Sequence, residues 1–116
     1  MVNRVVLILV LVGEAIFAKP RGTHIVQEKV GQKYYLKRCS SCHSSGKIGG
    51  NMATQKEWEM LLSDGAKELI ELHKDEKNTT KVIEYLKSRE FKKEHKKLLK
   101  FLQEFANDSE AIPTCY

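Results

Sequence analysis

Cys39-Ser40-Ser41-Cys42-His43 sets two thiols three positions apart, with an imidazole directly behind the second. That spacing suits one chemistry above others. Each thiol can form a thioether with a vinyl group of a haem, and the histidine can then bind the iron from one side. Two alternatives compete. A structural zinc site normally needs four Cys or His ligands, usually in two paired motifs. Cys115 is the only other cysteine, and there is no second Cys-x-x-Cys. A dithiol redox motif would sit at a helix start after a β-strand, and no strand pattern precedes residue 39. The motif therefore predicts one covalent haem c, anchored by Cys39 and Cys42, with His43 as proximal iron ligand.

The other face of the iron is open to several donors. His73 follows Leu69 by four and Ile70 by three, which puts it on the apolar side of a helix. It is the preferred distal ligand. Met60, beside the apolar stripe of its own helix, and His95, within a lysine-rich helix, are weaker alternatives. Met52 reads as core filler, and residues 75–90 contain no methionine. His24 precedes the first helix and is expected to be exposed. A methionine opposite histidine raises the reduction potential, and a second histidine lowers it. A displaceable distal ligand would instead permit binding of small molecules such as carbon monoxide.

The N-terminus agrees with the site where such haems are attached. Asn3 and Arg4 precede an unbroken apolar run over residues 5–12, and Ala15-Ile16-Phe17-Ala18 offers small residues for cleavage. Residues 1–18 thus read as a secretory signal cleaved near Ala18. The run is shorter than the roughly 20 residues that span a bilayer. Residues 19–116 are then one domain, with a core over about 26–106 and a mobile tail over 107–116. Its net charge stays +5, since Arg4 and Glu14 leave together. A core this small gains from a central haem, so the chain is expected to fold poorly without it.

The elements that must position the site are helices throughout. Val26, Val30 and Tyr34 recur four apart and run into Cys39, with Gly31 as a point of close approach. Residues 44–51 read as a glycine- and serine-rich loop. Thr54 and Glu57 form a capping box ahead of Trp58, Leu61 and Leu62. Ser63-Asp64-Gly65 breaks that helix before Ala66, Leu69, Ile70 and His73. A charged linker over 74–78 follows. Thr79 or Thr80 caps a helix with Val82, Ile83, Tyr85 and Leu86. A last helix from near Glu90 carries Phe91, Leu98, Leu99, Leu102, Phe105 and Ala106.

A helix with glycine and tyrosine entering the haem motif, a glycine loop after it and an aromatic C-terminal helix together resemble the class I cytochromes c, over about residues 26–106. The resemblance implies an all-α domain wrapped around one covalent haem. It also implies a crossing of the first and last helices, with Gly31 and Tyr34 against Leu98, Phe101, Leu102 or Phe105. Ile48-Gly49-Gly50-Asn51-Met52 is similar to the family's Gly-Pro-x-Leu stretch, with Gly50 where the family has proline. The family usually supplies a methionine just before the last helix, and this chain has none there.

The expected function is single-electron transfer between redox partners in the periplasm. It is not expected to be an enzyme, because no acid–base set accompanies the motif. A haem-based ligand-binding or sensing protein is the alternative. Lys87, Arg89, Lys92, Lys93, Lys96, Lys97 and Lys100 face only Glu90 and Glu94 over the same stretch. Such a surface suits an acidic redox protein. It leaves membrane contact open, whereas export argues against nucleic acid. Cys115 is left over by the haem and reads as an unused thiol in the tail or the link of a disulfide dimer.

Overall fold

Gly31 decides how the chain closes on itself. In the computed structural model, which describes residues 24–110, it lies in helix α1 (Lys29–Arg38). A Cβ at this position would stand 2.1 Å from the backbone oxygen of Lys97 and 2.9 Å from Cβ of Phe101. Only glycine allows α1 to lie so close to the long helix α7 (Arg89–Glu104). The buried face of α1 is therefore Gly31 and Tyr35. Val26 and Tyr34 pack at its margin, and Val30 is exposed. The apolar spacing of Val26, Val30 and Tyr34 misses the contact face by one residue, because its centre is a glycine that no hydrophobic pattern counts.

Between these helices run α2 (Ser40–His43), α3 (Gly46–Gly50), α4 (Gln55–Leu62), a 3-10 turn (Asp64–Ala66), α5 (Lys67–His73) and α6 (Thr80–Leu86). All regular structure among the described residues is helical, and the chain is all-α there. None of these helices is long and apolar enough to cross a membrane. The expected loop over 44–51 is instead a turn of helix. Its glycines let the backbone settle directly onto aromatic rings: Gly46 meets the Phe101 ring, Gly49 the Tyr35 hydroxyl, and Gly50 the Phe105 Cβ.

The start of α4 forms as its capping box predicts. Thr54 Oγ1 accepts from Glu57 N–H at 3.1 Å, and Glu57 Oε1 accepts from Thr54 N–H at 3.0 Å. Trp58 and Leu62 are buried, Leu61 partly so. Trp58 also donates its indole N–H to the Gly50 carbonyl at 2.7 Å. The core gathers Tyr35, Trp58, Phe91, Phe101, Leu102 and Phe105 around α7. Just beyond residue 106 the chain meets the start of α4. Asn107 N–H reaches the Ala53 carbonyl at 3.0 Å, and Asp108 accepts from Gln55 N–H at 2.9 Å. The first part of the expected mobile tail thus caps α4.

His24 is half-buried rather than exposed. Its ring packs edge-on against Phe105 at 5.4 Å, and its Nε2 bonds Glu104. Glu104 also accepts from the Gln27 and Glu28 N–H groups at 2.9 and 3.1 Å. Burial alone would raise this carboxyl's pKa. The donors from Gln27, His24 and Glu28 outweigh burial and hold it below the ordinary value. The expected signal segment, its cleavage site and Cys115 lie outside the described residues.

Candidate haem-binding site

The end of α1 delivers Cys39 directly into α2. Cys39 N–H donates to the Tyr35 carbonyl at 2.8 Å, and His43 N–H donates to the Cys39 carbonyl at 3.0 Å. The motif is one helical turn, so both thiols and the imidazole project from a single short segment. Cys39 is half-buried against the core, Cys42 is exposed, and both thiols are free. Burial, and to a lesser degree the nearby Cys42, push the Cys39 pKa up to about 12 against the pull of Arg38.

Tyr35 anchors the far side of the motif. Its hydroxyl donates to the Ser44 carbonyl at 2.8 Å, with the Ser45 and His43 carbonyls at 3.1 and 3.3 Å. Ser44 turns the chain with φ 65°. Tyr35 is only 1% exposed, so water has little access to this clasp.

His73 closes α5 and faces the motif. The rings of His43 and His73 are 5.9 Å apart, centroid to centroid, with perpendicular planes. His73 Nδ1 lies 2.7 Å from the Leu69 carbonyl. Since a carbonyl only accepts, Nδ1 carries a proton there, and Nε2 is the nitrogen that could bind a metal. Thr79 holds the end of this helix. Its hydroxyl stands 2.8 Å from the His73 carbonyl and 2.9 Å from that of Glu76. It does not cap α6, as its position suggested. Burial, then the nearby His73, lowers the pKa of His43 and favours the neutral imidazole that a metal requires.

The other sequence-selected donors have different surroundings. His95 stacks on Phe91 of its own helix at 5.6 Å, with Nδ1 3.0 Å from the Lys92 carbonyl. Met60 is 51% exposed and lines an open groove of about 580 Å³ with Leu61, Lys67 and Leu72. Met52 is exposed as well.

The donor set fits a haem. No group of three or more His, Cys, Asp or Glu side chains is gathered for a bare metal ion among the described residues. An axial His pair needs no such group, because a porphyrin brings four nitrogens of its own. Leu36, Ile48 and Met52 are exposed apolar side chains close in sequence to the motif. A flat apolar cofactor would give them something to cover. Tyr35 and Thr79 were not singled out as supports of the site. A tyrosine four residues before the first cysteine was the one available signal.

No protein-family model, curated protein or solved structure matches the chain.

Proposed function

We propose that the protein is an exported c-type cytochrome of the class I kind, with one haem on Cys39 and Cys42 and axial ligands His43 and His73, and that it passes single electrons between redox partners. The 5.9 Å approach of the two imidazoles beside the Cys-x-x-Cys turn is the observation that carries this reading. When bound, the haem supplies reversible one-electron chemistry at iron. The chain's own part is to hold the two imidazoles close together and to keep the first thiol partly buried against the core. Tyr35 fixes the carbonyls that follow His43, and Thr79 fixes the helix end that carries His73. The basic face of α7 supplies the attraction for an acidic partner, and Cys115 remains available for a disulfide dimer.

The test is expression with a cytochrome c maturation system. The purified protein should keep one haem through denaturation and lose it in a Cys39→Ser, Cys42→Ser double variant. Its reduced spectrum should be low-spin and indifferent to carbon monoxide. His73→Ala should move the spectrum and let carbon monoxide bind. A chain that takes up no covalent haem overturns the proposal. A wild-type protein that binds carbon monoxide rapidly overturns the carrier role in favour of ligand sensing.

A further inference from the structure

Arg38 ends α1 one residue before Cys39. Its guanidinium carbon lies 4.3 Å from the centre of the Tyr85 ring. Its Nε is the one buried side-chain nitrogen or oxygen among the described residues that has no hydrogen-bond partner. Its carboxylate neighbours form no ion pair with it. Tyr85 is 3% exposed and stacks edge-on with Phe91. Burial, then the bond its hydroxyl donates to Glu94 at 2.8 Å, raises the phenol's pKa, so it stays neutral. Glu94 is engaged by that bond. Glu90 feels Arg38 only as one of several weaker influences on an exposed carboxylate. The ion pair His24–Glu104 does not involve Arg38.

We infer that Arg38 sets the reduction potential of the haem, an inference that rests on the haem reading above. Reduction adds one electron and removes one positive charge at iron. A guanidinium stays charged at any working pH, and next to the first thioether position it favours the reduced form. Tyr85 keeps the cation from swinging into water, by attraction between charge and ring face. Two histidine ligands pull the potential down, and Arg38 draws it back up.

The experiment is optical potentiometry on the haem-loaded protein and three variants. Arg38→Gln should favour the oxidised form by about tenfold, a fall of about 59 mV for a one-electron couple. The fall should persist at high salt, since partly buried charges are screened less than exposed ones. Arg38→Lys should recover part of it. Tyr85→Leu, which keeps the charge but frees it, should lower the potential by a smaller amount. The absorption bands should not move in any of them, because both axial ligands are retained. An Arg38→Gln protein with unchanged bands and unchanged potential overturns the inference. If that variant takes up no haem, the other two decide, and unchanged potentials in both overturn it. A wild-type chain that holds no haem overturns the haem reading instead.

Discussion

At Tyr35 a single phenol links the helix before the motif to the backbone after it. Tyr35→Phe keeps the packing and removes only the donor. The Ser44 carbonyl then loses its partner in a region already tight, since Gly49 lies directly against that hydroxyl. The expected loss is about 1 kcal/mol, read from urea unfolding, and a change within error would mean that water replaces the bond. At this scale much of the site was legible. Cys39, Cys42 and His43 are named by spacing alone. His73 was selected by its offsets from Leu69 and Ile70, and Leu69 supplies the carbonyl that bonds its Nδ1. Arg38 was not legible. Nothing in a lysine- and arginine-rich sequence marks the guanidinium that packs on the Tyr85 ring.

Among the elements, the α1–α7 contact carries the clearest consequence. Gly31→Ala places a methyl group on the Lys97 backbone oxygen, which cannot rotate away. Forcing the helices apart should cost about 1–3 kcal/mol in thermal or urea unfolding. Val30→Ala, one residue away on the exposed side, should stay within about 0.5 kcal/mol. Equal effects would mean that α1 is rotated from the orientation described. The sequence announced the helices through periodicity and the α4 start through its capping box. It concealed α3, because glycines that let a helix lie against Phe101 and Tyr35 look the same as glycines that keep a loop loose. It also concealed Asp108 as a cap, since that contact joins residues 53 apart.

For the whole molecule, stability is unevenly distributed. Tyr35, Trp58, Phe91, Phe101 and Phe105 form one buried cluster, whereas no residue of α5 is buried. The dependence of folding on haem should therefore fall on α5 and the linker over 74–78. Hydrogen exchange of the haem-free chain should find α1 and α7 protected and α5 open. Uniform exchange throughout would instead mean that the haem organises the entire fold. Acid should act at Glu104. The folded pKa of Glu104 lies below the ordinary 4.5, so its contribution is complete above about that pH and is lost as pH falls through the folded value. Melting temperature should decline below pH 4.5 in the wild type and more gently in Glu104→Gln. Parallel curves would remove Glu104 from the account.

The turn that aims α5 has a stereochemical consequence. Asp64, Gly65 and Ala66 have φ values of 51°, 66° and 56° in succession. Nothing lies within 4 Å of where a Cβ on Gly65 would stand. Handedness alone therefore limits that position. An L-alanine there should cost about 1 kcal/mol while touching no neighbour, and a D-alanine introduced by chemical ligation should be accepted. The helix that brings His73 to His43 owes its direction to a short stretch of backbone in the mirror-image hand.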